Sequence, residues 1–229
     1  MSFGNGPSIV TNGLILALDA NDLNSYPGTG TTWYDLSGQG AHAYLTGSVF
    51  YTGSVASSPG YFNIPVAADA NYMYSTISQS YFDLTLVIQP DFTFSNGGYG
   101  SGIIATSTAA ARGDESLRLT TTLTPGVPWT INNPGNINDW ANPATTYYLN
   151  GIPNTSTVTL VNGWNVIGGT RTNTTNGAFT SPFAYFIGGG YSGRNYQGKI
   201  ASLYMYNRSL SAAEQLQNYN ALKSRFNLT

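Results

Sequence analysis

The sequence predicts an all-β protein, an antiparallel β-sandwich with one helix at its C-terminus. The first observation behind this prediction is a series of short, β-prone segments separated by turn residues, as in sandwiches and barrels. The second is the dipeptide Asn-Gly, which favours tight hairpin turns and recurs along the chain, for example at positions 96, 150, 162 and 176. The third is a helix signal that follows the last strand candidate. Together they indicate sheets of neighbouring strands covered by a single helix.

The helix signal lies in residues 198–226. Residues 200–206 are apolar and aromatic without Gly or Pro, which is typical of a buried strand. Ser211 precedes Glu214 by three residues, the spacing of a capping box, in which the two residues satisfy each other's backbone N–H groups. An apolar stripe at spacings of three and four residues then predicts a helix of about four turns that packs on the sheet. The stripe consists of Leu216, Tyr219, Leu222 and Phe226.

The remaining strand candidates are rich in β-branched or aromatic residues and are bounded by turn formers. They are residues 14–18, 43–50, 61–66, 81–92, 102–106, 116–122, 145–150, 157–161, 164–168 and 183–187. Pro90 indicates an edge strand or the end of a strand, because proline cannot donate to a sheet ladder. Two stretches are predicted to be elaborate loops: residues 19–40, which Trp33, Tyr34 and Leu36 would fasten to the body, and residues 125–143.

Composition limits the function classes. The chain has 229 residues, enough for one full core, and we expect residues 1–229 to form a single domain. Only 8% of the residues are charged and the net charge is −2, so we expect neither a nucleic-acid partner nor membrane insertion. There is no cysteine, and the N-terminus does not read as a secretion signal. We therefore expect the protein to act where it is made or to leave the cell without such a signal, for example in a virus particle.

Two segments carry a family resemblance. GKIASLYMYNRSLSAAE at 198–214 resembles the closing segment of laminin-G-like, concanavalin A-like jelly-roll domains of the kind found in bacteriophage structural proteins. LALDAND at 16–22, followed by WYDLSGQG at 33–40, resembles the opening of the same domains. The resemblance implies a jelly roll, and it is more specific for fold than for function.

We expect no enzymatic activity. Some jelly-roll relatives are glycosidases that use paired carboxylates, but this chain has two glutamates, Glu115 in a loop-like stretch and Glu214 in the helix cap. A catalytic triad would depend on His42, the single histidine, and zinc needs several His or Cys ligands. No cofactor is expected, with calcium as the one alternative.

The calcium alternative comes from the resemblance, because relatives often hold this ion near a rim of the sandwich. Many of them carry an acidic pair after Gly-Lys-Ile, where this chain has Ala201 and Ser202. Asp19, Asp22 and Asp35 offer oxygen ligands for a calcium site elsewhere. The other reading is that these carboxylates, with Ser37, tie down the backbone of the loop at 19–40.

A carbohydrate site is predicted around the loop at 125–143. Sugar recognition needs aromatic rings flanked by amide and carboxylate groups. The candidate residues are Trp129, Asn138, Asp139, Trp140 and Tyr147.

Two functions follow as hypotheses. The first is a virion structural protein, a phage head decoration, neck or tail-associated protein located in the virion. Its partners would be other virion proteins or copies of itself, with contact to host-surface glycan as an addition. The second is a lectin-like carbohydrate-binding module of a microbial surface or secreted protein, located outside the cell.

Overall fold

The structure is a computed structural model. It describes residues 7–54, 59–68, 70–77, 81–94, 101–108, 111–119, 128, 130–131, 146–154, 158–172, 185–189, 195–226 and 228.

Within these residues the chain forms sixteen strands and one helix. The strands are β1 Leu14–Asp19, β2 Thr32–Trp33, β3 Ala43–Leu45, β4 Phe50–Thr52, β5 Tyr61–Ile64, β6 Met73–Ser75, β7 Tyr81–Pro90, β8 Ser101–Thr108, β9 Ala111–Leu119, β10 Thr130–Ile131, β11 Tyr147–Leu149, β12 Ile152–Asn154, β13 Val158–Thr159, β14 Asn165–Thr172, β15 Tyr185–Ile187 and β16 Gly198–Tyr206. The helix, α1, spans Ala212–Lys223. The predicted fold class is confirmed.

The larger sheet has eight strands, in the order β12-β11-β14-β7-β16-β5-β4, with β1 also paired to β16. All of its pairs are antiparallel. The hairpin between β11 and β12 turns at Asn150 and Gly151, whose φ angles of 51° and 77° are those of the turn that Asn-Gly favours. β7 ends at Pro90 and lies between β14 and β16, so this proline marks a strand end and not a sheet edge.

The smaller sheet has six strands in the order β2-β3-β6-β15-β8-β9, and β10 pairs separately with β13. Its strands β3 and β6 are short, with three residues each. The predicted strand at 43–50 is divided into β3 and β4, because residues 46–49 turn through Gly47, which has a φ of 59°. The two parts then enter different sheets.

The main core lies between the two sheets. Leu84, Leu86 and Ile88 alternate along β7 and point into it, as the period of a strand predicts. From the smaller sheet, Trp33 and Met73 enter the same cluster and are completely buried. Burial of each such side chain contributes about 1.5–3 kcal/mol, which makes this layer the main source of stability.

α1 covers the opposite face of the larger sheet. There Tyr219 and Leu222 pack with Val87, Val166 and other residues in a second apolar cluster. The capping box is confirmed: the Ser211 Oγ accepts from the Glu214 N–H at 3.3 Å, and the Glu214 carboxylate accepts from the Ser211 N–H at 2.9 Å. Phe226 is buried although it lies three residues beyond the end of α1.

The predicted stripe on this helix needs a correction. Leu216 is 45% exposed, and the inward positions include Gln215 and Asn218 instead. The Gln215 amide donates to the Asp83 carboxylate at 2.6 Å, and the Asn218 amide donates to the Thr85 hydroxyl at 2.9 Å. These polar positions of β7 face the helix because the alternate positions face the core. The helix is therefore seated by hydrogen bonds as well as by apolar packing.

Among the described residues, no helix is long and apolar enough to cross a membrane.

Candidate functional site

A row of polar side chains crosses three neighbouring strands of the larger sheet near one end. In the sheet register, Lys199 of β16 lies opposite Asn63 of β5 on one side and opposite Gln89 of β7 on the other. Residues at paired positions point to the same face of a sheet, so the three side chains form one row. All three are partly exposed. The row therefore offers amide and ammonium groups to a ligand at this face.

The Lys199 ammonium is held in a defined position. It donates to the Gln89 side-chain carbonyl at 3.2 Å and lies 4.8 Å from the centre of the Tyr61 ring. A cation over an aromatic ring is attracted by the ring quadrupole, whose negative side is the face of the ring. The Tyr61 ring packs against the Trp164 ring, with 5.7 Å between the two ring centres. The cation is thus positioned before any ligand arrives.

Asp91 follows the end of β7 and provides a fixed carboxylate beside this row. Its Oδ1 accepts from the Thr93 N–H at 2.9 Å and from the Thr93 hydroxyl at 2.6 Å, and its Oδ2 accepts from the Gln197 amide at 2.9 Å. Partial burial raises the pKa of Asp91, but these hydrogen bonds and the charge of Lys199 outweigh it, so the pKa lies below its usual value. Asp91 is therefore ionised at neutral pH.

These groups line an open cleft of about 630 Å³. Its walls include Asn63, Gln89, Asp91, Lys199 and Asn162. Pro128, which directly precedes the predicted sugar residue Trp129, lines it as well. Polar and apolar residues both line the cleft, and its volume is typical of small-ligand sites. The cleft can hold a ligand rich in hydroxyl groups, and Asp91 is the one carboxylate among its described lining residues.

Of the five predicted carbohydrate-binding residues, the structure describes one, Tyr147. Trp129, Asn138, Asp139 and Trp140 lie outside the described residues. Tyr147 is 7% exposed and belongs to the core cluster between the sheets. Its ring is therefore a packing group and does not present a platform to a ligand.

Asp19 is engaged inside the protein. Its carboxylate accepts two hydrogen bonds from the Arg225 guanidinium, at 2.6 and 2.8 Å, and a third from the Tyr204 hydroxyl at 3.0 Å. The residue is 4% exposed. Charge compensation by Arg225 is what permits burial of this carboxylate. Asp19 thereby joins the end of β1 to the segment after α1.

Asp35 fastens the loop at 19–40. Its Oδ1 accepts from the backbone N–H groups of Ala17 and Ser37, and its Oδ2 accepts from the Ser37 hydroxyl and the Ala41 N–H. The expected tethering of this loop is therefore confirmed for Asp35 and Ser37. Of the three hydrophobic residues expected to fasten the loop, Trp33 is buried, whereas Tyr34 and Leu36 are 43% and 41% exposed.

Asp22 makes local contacts only, accepting from the backbone and side-chain N–H groups of Asn24. Within the described part of the chain, no group of three or more His, Cys, Asp or Glu residues is placed to hold a metal ion. Calcium binding by Asp19, Asp22 and Asp35 stays a prediction.

The cleft could not be predicted from the sequence, because its residues are far apart in the chain. The available signal was a polar residue at an alternate position of each of three apolar strands: Asn63, Gln89 and Lys199. This signal becomes a site only when the strand order places β16 between β5 and β7. Sequence spacing alone does not contain that order.

The fold is a β-sandwich of two antiparallel sheets, with a helix on the outer face of the larger one. Solved structures with the same fold include domain 4 of AbnA, an extracellular GH43 arabinanase from Geobacillus stearothermophilus, in complex with arabinotriose. That match has a TM-score of 0.53 at 12% identity and covers 90% of this chain and 98% of the domain.

Two other similar structures belong to longer chains. Trypanosoma rangeli sialidase matches with a TM-score of 0.54 at 15% identity, over 94% of this chain and 34% of the sialidase chain. The binding domain of botulinum neurotoxin DC in complex with SialylT matches with a TM-score of 0.54 at 15% identity, over 93% of this chain and 52% of that one. This chain thus spans about a third and about half of their lengths. No family model and no curated protein matches the sequence.

Proposed function

We propose that this protein is a non-enzymatic carbohydrate-binding module that holds a glycan in the cleft beside Lys199 and Asp91. The observation that carries the proposal is a concave site whose ammonium and carboxylate are both fixed by neighbouring groups. Fixed polar groups lower the entropy cost of binding, because they do not have to be ordered by the ligand. The proposal treats residues 1–229 as one domain, as the sequence predicts.

The chemistry of the cleft suits hydroxyl groups. Asp91 has only acceptor oxygens, Lys199 has only donors, and Asn63 and Gln89 have both. A sugar hydroxyl both donates and accepts, so it matches any of these groups, and neighbouring hydroxyls can satisfy donor and acceptor together. Pro65, Pro90 and Phe92 add apolar surface to the lining. The mixed surface corresponds to the two characters of a sugar ring, polar at its edge and apolar on its face.

The loop at 125–143 extends this proposal. Since Pro128 lines the cleft, Trp129 follows directly after a wall residue. Trp129 and Trp140 are the proposed aromatic platforms, and Asn138 and Asp139 are the proposed polar contacts. Two of the similar solved structures support the proposal of a glycan ligand: the arabinanase domain was solved with arabinotriose and the toxin domain with SialylT. An extracellular location goes with the proposal.

A glycan array with the purified chain tests the function. The two lysines of the chain provide a matched pair of variants: Lys199 lies in the cleft, and Lys223 is exposed in the last turn of α1. We expect the wild-type protein and Lys223→Met to bind the same glycans, and Lys199→Met to lose at least about tenfold in affinity. Methionine keeps the length of the aliphatic stem, so packing is preserved. Equal melting temperatures of the two variants exclude misfolding as the cause.

Two results would overturn the proposal. If the wild-type protein binds no glycan, the function is wrong; if Lys199→Met binds as the wild type does, the cleft is not the site. The virion hypothesis from the sequence predicts a different result in mass photometry. A phage structural component would form a symmetric oligomer or enter assembled particles without sugar affinity, whereas a binding module acts as a monomer.

A further inference from the structure

The outward face of the smaller sheet has an unusual composition. Around β6 the chain alternates between buried and exposed residues, as a half-buried strand does. Met73 and Ser75 are completely buried. Tyr72 and Tyr74 are partly exposed, and Thr76 is exposed on the same side. The face away from the core therefore carries two tyrosines and a threonine along this strand.

The two neighbouring strands continue the pattern. In β3 the outward residue is Tyr44, and His42 and Thr46 flank this strand; all three are partly exposed. In β2 the outward residue is Thr32, which is partly exposed, and Tyr34, which is 43% exposed, directly follows the strand. The register pairs Thr32 with Tyr44 and Tyr44 with Tyr74, so one row crosses all three strands. We call the outward residues within these three strands, together with those that directly flank them, the tyrosine face. They are Thr32, Tyr44 and Tyr74 in the strands and Tyr34, His42, Thr46, Tyr72 and Thr76 beside them.

The rings of the tyrosine face contact one another. Tyr44 and Tyr74 lie 5.3 Å apart between ring centres, and Tyr72 lies 6.4 Å from Tyr74. Tyr34 and His42 form a second pair, with their ring centres 5.3 Å apart. The His42 Nδ1 accepts from the Asp35 backbone N–H at 3.1 Å, which fixes the imidazole ring. The face is thus a layer of contacting aromatic rings, centred on Tyr44 of β3 and Tyr74 of β6.

The tyrosine face also carries no formal charge when His42 is neutral, because its eight positions hold only tyrosine, threonine and histidine. This distinguishes it from the cleft, which contains an ammonium and a carboxylate. A tyrosine ring offers an apolar surface and a hydroxyl that donates and accepts, and threonine offers a second hydroxyl. We propose that the tyrosine face is a second carbohydrate site, which takes an extended, uncharged polysaccharide lying across β2, β3 and β6.

The physical match favours this ligand over others. The apolar face of a sugar ring stacks on the tyrosine rings, while its hydroxyls bond with the hydroxyls of the tyrosines and of Thr32 and Thr76. The Thr46 hydroxyl bonds to the backbone of residues 70 and 72 and is not part of this set. An acidic polysaccharide would lose hydration of its carboxylates here without meeting a cation on the face. A second copy of this chain would bury these hydroxyls against an identical set, and the eight positions include no charged pair that would fix such a contact. The inference rests on the proposed function, since it assumes that the protein binds glycan, but it uses none of the cleft residues.

Affinity electrophoresis in gels that contain a soluble polysaccharide tests the inference. The neutral probes are β-glucan, arabinan, xylan and galactomannan, and the acidic probe is polygalacturonate. The test variant is Tyr44→Thr/Tyr74→Thr, which removes two contacting rings and keeps the β propensity of the strands. The control is Phe50→Ala, which removes an aromatic residue that is 48% exposed on the larger sheet. Circular dichroism and thermal melting establish that both variants fold.

We expect at least one neutral polysaccharide to retard the wild type, Phe50→Ala and Lys199→Met. The double tyrosine variant should lose about tenfold or more in affinity. The inference is overturned if no neutral polysaccharide retards the wild type, or if the double variant is retarded like the wild type. In the second case, loss of retardation in Lys199→Met shows that the cleft still binds sugar and that only the second site is wrong. A change in sedimentation of the double variant, without a change in retardation, would identify an assembly surface and also overturn it.

Discussion

At the scale of single residues, the aspartates of this chain differ in whether their hydrogen-bonded carboxylates are closed inside the fold or line the cleft. Asp19 and Asp35 are the acids that the sequence singled out beside Asp22, and both are saturated by donors from the chain itself. Asp91 is also held, by Thr93 and Gln197, yet it lines an open cleft. An acid that is both fixed and accessible is a better candidate for ligand contact than one that is closed inside the fold.

Asp19 leads to a stability prediction. Asp19→Asn keeps the size of the side chain but leaves the Arg225 guanidinium without its counter-charge, and we expect a loss of about 2–4 kcal/mol in the free energy of unfolding. The value is set below that of a fully buried pair, because the Arg225 side chain is 32% exposed. The matched control is Asp22→Asn, which changes local contacts and should cost less than about 0.5 kcal/mol. Urea unfolding measures both.

If Asp19→Asn is as stable as Asp22→Asn, the ion pair contributes nothing and the end of the chain is not secured by Asp19. Stabilisation of the wild type by added calcium that Asp19→Asn does not show would instead favour the calcium reading of the loop.

At the scale of elements, α1 shows how a polar interface seats a helix. Its inward side presents Gln215 and Asn218 to Asp83 and Thr85 of β7, and Asn218 also donates to the Tyr206 hydroxyl at 3.0 Å. Burial raises the pKa of Tyr206, so its hydroxyl stays protonated at neutral pH. Hydrogen-bond partners at fixed positions specify one orientation of the helix, which apolar contacts alone would specify less strongly.

The start of α1 carries a pH dependence. Hydrogen bonds from Arg208, then from the Ser211 N–H, lower the pKa of Glu214 from 4.5 to about 2. The stabilisation is therefore complete above pH 4.5 and is lost as the pH falls towards about 2. Glu214→Gln keeps the capping geometry and removes the charge. We expect the wild type to exceed this variant by about 1 kcal/mol at pH 7, a modest value because the ion pair is partly exposed.

Urea unfolding at pH 7, 5 and 3 follows the difference between the wild type and Glu214→Gln. The expected difference is the same at pH 7 and 5 and shrinks at pH 3. A difference that persists unchanged at pH 3 would mean that the charge of Glu214 does not stabilise the folded state.

At the scale of the whole molecule, the local parts of the fold could be predicted and the long-range parts could not. Periodicity identified β1, β7 and β16, and the capping box identified the start of α1, because these signals lie within a few residues of each other. β6 was missed although Tyr72, Met73, Tyr74 and Ser75 alternate, because a strand of three residues leaves little pattern. The prediction for Leu216 is wrong for another reason. Hydrophobic spacing favours Leu216 as an inward residue, but it does not contain the position of Asp83 across the interface, to which Gln215 donates a hydrogen bond.

The candidate site shows the same limit more strongly. Asn63, Gln89 and Lys199 are brought together only by the order β5-β16-β7, and neither their residue types nor their spacing encodes that order. The tryptophans of the loop at 125–143 predict a carbohydrate site there, and Pro128, which belongs to this loop, lines the cleft. The sequence thus did not indicate the strand residues that form the floor of the cleft, and the predicted loop residues beside Pro128 stay a prediction.

The central claim is that a glycan occupies this cleft. The most direct measurement is an NMR titration of the isotope-labelled protein with a glycan selected on the array, following the backbone amide signals. We expect the largest chemical-shift changes at the amides of Asn63, Gln89, Asp91, Thr93 and Lys199, with saturation at one glycan per cleft. Changes that leave these five amides unaffected, or a spectrum that no glycan alters, would contradict it.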